Sequence, residues 1–581
     1  MKVTIIDWSM VIIYFIFTLV IGLYYSKRAG KNIVEFFVSG RNLPWWIAGT
    51  SMVATTFAAD TPLAVCGMVG NYGIAGNWLW WNFVMSGLLT VFIFARLWRR
   101  AEILTDVEFT ELRYSGKPAA ILRGFRSLYL AIPINCIVMG WINLAMAKII
   151  GETLGIEKWI AIAICLGITV LYAMLAGMWG VVITGFYQFF FAMGGTIILA
   201  VYALDVVGGI SGLKEGLNNI YGENNKILEF FPRSNAAWMP ISTFLVYLSV
   251  NWWATWYPGA EPGGGGYIAQ RLFSAKNEKH SIFSALWFNI AHYTLRPWPW
   301  IIVGLAAMVL YPGLADKELG YVKVMIDHLP TGLRGLLLAT FAAAYMSTIS
   351  AQINWGTSYI INDIYKRFVL KSASEKHYVL VSRIATLIMV ILGGIITLFL
   401  GSVEGAWKIL ISIGAGTGAV YILRWYWWRI NAWSEISAMS AALASSLFLQ
   451  FYIKLSPDNP YHFTKIILIT TGITTAVWLI VTYLTKPVSE EVLIKFYKKI
   501  QSGGRLWKPI SDKIPELKVN ARIGRDLLDW FLGSVFIYCV LFGFGKFIFG
   551  DMMSGFIYIL IAVVTVIIIY KDLSSRNWGV L

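Results

Sequence analysis

Residues 251–271 read NWWATWYPGAEPGGGGYIAQR, and they follow an apolar run that begins near residue 237. Pro258, Glu261, Pro262 and the four glycines 263–266 interrupt that run, which then resumes as if a helix had restarted. Two readings are open. Residues 237–257 complete a membrane span and GAEPGGGG is a cytoplasmic turn, or a membrane helix is broken in mid-bilayer. A break leaves backbone carbonyls without partners, and these survive at membrane depth only by lining a cavity or binding a ligand.

The rest of the chain establishes the membrane. Of 581 residues, 58% are hydrophobic and 13% charged, with a mean hydropathy of +0.66. Soluble domains carry about a quarter charged residues, so the composition is that of a polytopic helical membrane protein. The first apolar run, SMVIIYFIFTLVIGLYY, leads into basic residues without a small-residue cleavage site and reads as a retained helix. Fifteen runs are long enough to cross roughly 30 Å of hydrocarbon. The four cysteines lie inside apolar runs with no metal spacing.

The net charge of +16 is not a nucleic-acid signature. With the N-terminus outside, the cytoplasmic segments hold 33 of the 47 Lys and Arg residues. That is the positive-inside asymmetry and predicts N-out, C-in, with the excess charge facing anionic lipid. The predicted partners are therefore the bilayer, a small solute and an ion, and no nucleic acid.

Setting aside residues 1–43, which hold an extra helix and a cytoplasmic loop, ten spans divide into two sets of five, 44–206 and 237–429, joined by an extracellular loop at 207–236. Two odd-numbered sets enter the membrane in opposite senses, as in an inverted-topology repeat. Two peripheral helices (430–485), a basic linker (486–526) and two final helices with a tail (527–581) follow. The first span of the first set, WWIAGTSMVATTFAADTPLAVCGMVGNYG (45–73), is itself interrupted by Thr55, Thr56, Asp60, Thr61 and Pro62. Interrupted helices at matching positions of two repeats are the best sequence pointer to a transporter's central site.

The run LLLATFAAAYMSTISAQINWGTSYIINDIYKR (336–367) resembles the eighth core helix of the sodium:solute symporter family, which has the LeuT-like 5+5 fold. LPWWIAGTSMVATTFAA (43–59), YIAQRLFSAKN (267–277) and GAGTGAVYILRWYWWRINAWSEISA (414–438) extend the resemblance over about residues 8–485. It implies a secondary symporter of the inner (plasma) membrane rather than an enzyme, coupled to Na+. The implied sodium ligands are main-chain oxygens of Ala54, Phe57 and Ala344 with the hydroxyls of Ser347 and Thr348. Residues 344, 347 and 348 share one helix face, and a hard cation prefers oxygen. On spacing alone, the two hydroxyls also fit bonding back to carbonyls of their own helix.

One departure bears on stoichiometry. Where many relatives carry an aspartate in the fifth core helix, linked to a second sodium, this chain has Gly185 in VVITGFYQFFF. One sodium per cycle is therefore expected. At about 2.3 kcal/mol per 100 mV, one charge supports roughly 50-fold accumulation per 100 mV.

Asp60 and Thr61 align with substrate positions of sugar-carrying relatives, and an aspartate within a span is functional by default; it also fits a cap on the helix break. Asn251, Trp252 and Trp253 precede the second break where the family places a gating ring. Arg296, in AHYTLRPWPW, fits a solute carboxylate or hydroxyl, or an ion pair with Asp60 or Glu261. GAGTGA (414–419) lacks the strand–turn–helix context of a dinucleotide site and reads as close helix packing. His292 reads as hydrogen-bonded packing. A solute sensor and a proton-coupled symporter are the rival functions. Oligomeric state and the role of the last two helices are not encoded in any motif.

Overall fold

The computed structural model describes residues 3–29, 41–103, 106–173, 178–234, 236–255, 261–517, 519 and 523–579. Among the described residues the chain is helical, and its only strand-like pairing is one bridge between Leu43 and Ala275.

The longer helices run as follows: α1 Ile5–Ala29, α2 Trp45–Thr55, α3 Asp60–Tyr72, α4 Ile74–Ala101, α5 Gly116–Leu154, α6 Lys158–Ala173, α7 Met178–Val206 and α8 Gly209–Tyr221. Then come α9 (241–254), α10 Gly266–Ser274, α11 Glu278–Leu310, α12 Leu319–His328, α13 Leu333–Val369 and α14 Glu375–Phe399. The chain ends with α15 Val403–Gly414, α16 Thr417–Tyr426, α17 (432–452), α18 Pro460–Leu484, α19 Glu490–Ile500, α20 Ile523–Ile548 and α21 Met552–Ser575. Among the described residues nine helices are long and apolar enough to cross a membrane, or eleven with two bent pairs each counted as one span. The expected spans at 237–270 and 434–454 appear as interrupted or shorter helices, and the last residues of the one expected at 159–177 lie outside the described residues.

The first bent pair is α2 and α3, set at 62°. Pro62 explains the break. Its ring would strike the carbonyl of residue 58 in a continuous helix, and it has no N–H to donate. The second bent pair, α15 and α16 at 52°, falls on GAGTGA. There Gly416 takes φ +88°, a left-handed conformation that favours glycine. The sequence reading had these glycines as packing residues only. Both roles are present: a Cβ on Gly418 would stand 1.8 Å from the Trp253 carbonyl oxygen.

The stretch 251–271 is a break. Helix α9 stops at Ala254, where Thr255 turns extended (φ −104°, ψ 153°), and α10 begins at Gly266. Residues 256–260 lie outside the described residues. Glu261 to Gly265 are all buried, so the glycine-rich segment is not an exposed cytoplasmic turn. Gly263 and Gly264 adopt φ +81° and +72° and lie against α4 and α16. Trp98 Nε1 donates to the Gly263 carbonyl at 2.8 Å. The breaks are tied together: Gly416 N–H donates to the Ala254 carbonyl at 2.7 Å, and Leu43 exchanges backbone bonds with Ser274 and Lys276.

Helix α13 is anchored at its start by an acid from α1. Asp7, fully buried, accepts from the N–H groups of Gly332 and Gly335 (2.8 and 3.0 Å) and pairs with Arg334 at 3.0 Å. A carboxylate is favoured at a helix N-terminus, where N–H groups lack partners. This fixes the register in which α13 presents its middle turns to α2 and α7, both of which it packs against.

Candidate functional site

The first break opens onto a cavity of about 70 Å³, room for several waters. Asp60 and Thr61 reach it from the first turn of α3, Thr55 and Thr56 from the end of α2, and Thr348 with Gln352 from α13. Aromatic rings close the remainder: Trp80, Trp141, Tyr267, Tyr293 and Trp407, with His292 beside them. Asp60 is 5% exposed, and its Oδ1 has no hydrogen-bond partner among the described residues. A buried acceptor without a donor is rare in native proteins. Asp60 also lines the cavity, so the unpaired oxygen sits at the edge of the polar space between α2 and α3.

Thr348 behaves differently from Thr340, two turns earlier on its helix. Thr340 donates back to the Leu336 carbonyl at 2.9 Å. Thr348 makes no side-chain hydrogen bond among the described residues and lines the cavity instead. Back-bonding, the alternative that spacing left open, is therefore not its role. The Ser347 side chain lies outside the described residues. Ala344 is buried one turn earlier on the same helix. Across from α13, the Phe57 N–H donates to the Ala54 carbonyl at 3.1 Å in a tight turn that ends α2. Ala54 also touches Gly185: a Cβ there would lie 3.4 Å from the Ala54 methyl.

Arg296 is turned onto the end of α2 rather than into the cavity. It is fully buried and does not line the cavity. Its guanidinium donates to the Thr56 carbonyl (2.9 Å), the Thr56 hydroxyl (2.6 Å), the Val53 carbonyl (3.3 Å) and His292 Nδ1 (2.9 Å). The rings of Phe57 and Trp300, packed edge to face against each other at 5.3 Å, both lie beside it, with centroids 5.2 and 4.9 Å away. A positive charge on the last carbonyls of α2 is the placement that the helix dipole favours. The π-helical turn at 291–295 and Pro297 bend α11 just where this side chain departs.

The residues before the second break also turn away from the cavity. Asn251 Nδ2 donates to Asn82 Oδ1 at 3.1 Å, joining α9 to α4. Trp252 bonds to the Leu248 carbonyl and stacks on Trp530 of α20 at 5.2 Å. Trp253 Nε1 donates to the Ser249 carbonyl at 2.7 Å on the outer side. Of the solute positions expected from sequence, Asp60 and Thr61 meet in the cavity, while Asn251, Trp252, Trp253 and Arg296 do not. The aromatic wall had no sequence signal, because 27 tryptophans conceal the few that face inward.

A helical bundle with broken spans meeting beside a polar cavity belongs to the class of secondary transporters. The sequence model of the sodium:solute symporter family matches residues 36–444, and the chain belongs to that family. It is 25% identical to the sodium/glucose cotransporter of Vibrio parahaemolyticus, over 81% of this chain and 91% of that one. It is also 25% identical to human sodium/myo-inositol cotransporter 2, over 84% and 78% of the two chains. In fold it is similar to a Na+-coupled sialic acid symporter solved in a substrate-bound outward-open state, with a TM-score of 0.64 at 18% identity, covering 84% of this chain and 99% of that one. The chain is accordingly a multi-pass membrane transporter of sodium and a small solute.

Proposed function

We propose that the protein imports a small polyhydroxy solute with sodium, and that both bind at the break between α2 and α3. The carrying observation is that Asp60, with an unpartnered buried oxygen, and Thr348, with a free hydroxyl, face one cavity. Thr348 and Ser347 would supply hydroxyl ligands, and the turn at Ala54–Phe57 and the Ala344 carbonyl the main-chain ones. Sodium there bridges α2 to α13 and steadies the break, so the solute meets a preorganised site. Asp60 accepts from a solute hydroxyl, and the surrounding rings cover its apolar faces, the usual division of labour in small-molecule sites. Arg296 acts indirectly by holding the carbonyls of Val53 and Thr56 in place.

The relatives named for glucose and myo-inositol favour a polyol over an amino acid. The charge pattern supports fifteen spans with the N-terminus outside, an inverted repeat of 44–206 and 237–429, and residence in the plasma membrane. Purified protein in liposomes should accumulate at least one of labelled glucose, galactose, myo-inositol or sialic acid under an inward sodium gradient. Equal uptake with choline in place of sodium would contradict coupling.

A further inference from the structure

Glu318, in the link between α11 and α12, is 4% exposed and lies where three cavity-lining helices converge. Its Oε1 accepts from the backbone N–H groups of Val403 and Glu404, at 2.9 and 3.2 Å, in the first turn of α15. Its Oε2 accepts from Lys148 Nζ of α5 at 2.6 Å. Gly67 of α3 makes room for the side chain, since a Cβ there would stand 2.7 Å from Glu318 Cγ. Each of these helices also contributes to the cavity wall. Asp60 lies seven residues before Gly67, Trp141 seven before Lys148, and Trp407 four beyond Val403. At 1.5 Å per residue, the carboxylate joins the three helices about 6–10 Å along their axes from the cavity.

The first N–H groups of a helix have no partner within it, and a carboxylate there also meets the positive end of the helix dipole. Ser402 Oγ accepts from the Gly405 N–H at 3.0 Å, and Glu318 supplies the acceptor for the two residues before it. Asp316 holds Lys148 from a second side at 2.6 Å, so the ammonium is fixed between two carboxylates. Just beyond Glu318, Gly320 of α12 covers Cys66 of α3: a Cβ on Gly320 would stand 3.1 Å from Cys66 Sγ, and Cys66 is 1% exposed. We propose that Glu318 is a positioning residue for transport. It latches α3, α5 and α15 together on the side of the cavity that the charge pattern assigns to the outside, and it must release α15 before a solute enters from there. Trp407 is the part of the cavity wall that moves with α15. The proposal rests on the symport reading and on the N-out topology.

Cys66 reports on the latch, because it is buried between α3 and α12. The purified full chain in detergent is exposed to a water-soluble thiol reagent, and the labelling rate of each cysteine is read by peptide mass spectrometry. Glu318→Ala should raise the Cys66 rate about tenfold over wild type. Cys136 and Cys539, buried elsewhere, should label as in wild type. Glu318→Gln keeps an acceptor for α15 but loses the pairing with Lys148, and its rate should fall between the two. If Glu318→Ala does not fold, Gly67→Ala decides in the same sense, since its methyl pushes the carboxylate off α15. An unchanged Cys66 rate overturns the latch. Equal acceleration at all three cysteines also overturns it, because that marks a general loosening of the fold. Sodium-driven uptake into proteoliposomes separates the two readings. Uptake by wild type with no change at Cys66 in the variants refutes the latch alone, whereas wild type without uptake refutes the symport reading, and with it the role in transport, whatever Cys66 does.

Discussion

Asp60, Thr348 and Arg296 lie around one break yet carry different work, and substitution should separate them. Asp60→Asn keeps the shape but weakens the acceptor that faces the cavity; sodium-driven uptake should fall at least tenfold, about 1.4 kcal/mol, while stabilisation by sodium persists. Arg296→Gln removes a buried cation from four acceptors, at about 2–4 kcal/mol given the worth of charged hydrogen bonds. It should lower the thermal midpoint of the purified protein even without sodium or solute. A substrate-contact role would instead leave that midpoint unchanged and raise KM. The sequence marked all three as buried polar groups in apolar runs, and with them the neighbourhood of the site. It could not distinguish a group that faces the cavity from one that faces away. Asn251, Trp252 and Trp253 show the reason: a rotation of about 100°, one residue's step along a helix, changes the neighbour entirely, and rotation is decided by packing against α4 and α20, which no local pattern records.

Among the elements, the breaks were legible to the extent that their chemistry is local. Pro62 beside Asp60, and two prolines with four glycines at 258–266, are statements about backbone conformation that a sequence makes directly. The bend between α15 and α16 escaped because small residues in a membrane helix have two meanings, close packing and a turn, and GAGTGA has both. Its contacts with α9 make a prediction. Gly418→Ala places a methyl against the Trp253 backbone oxygen, which cannot swing aside as a side chain would. The expected cost is about 1–3 kcal/mol, as for overpacking generally, read as a lower thermal midpoint. An unchanged midpoint would mean that α9 and α16 are not held against each other.

Across the whole molecule, the C-terminal hairpin lies beyond the segment matched by the family yet is bound to the core. Trp530 donates to the Met85 carbonyl (2.7 Å), Tyr538 to the Trp81 carbonyl (2.9 Å), and Trp298 to the Leu541 carbonyl (3.0 Å). Asp526 pairs with Arg96 of α4 and with Arg576 beyond α21. The hairpin therefore rides on α4 and α11, which both line the cavity. A chain ending at residue 522 should be markedly less heat-stable, whereas a hairpin serving only to join two copies would leave the monomer's midpoint unaltered. The contacts of Trp530 with Met85 and of Tyr538 with Trp81, more than 400 residues apart, are invisible to any periodicity.

The central claim, that sodium binds where α2 breaks against α13, has a direct measurement that needs no solute. Purified protein is heated in matched sodium, potassium and choline chloride beside a Ser347→Ala/Thr348→Ala variant. Binding to the folded state alone raises stability by about 2.7 kcal/mol at a hundred times Kd. The account predicts a midpoint raised by sodium over both other cations, with the sodium increment reduced in the double variant. Equal sodium increments in wild type and variant would contradict it.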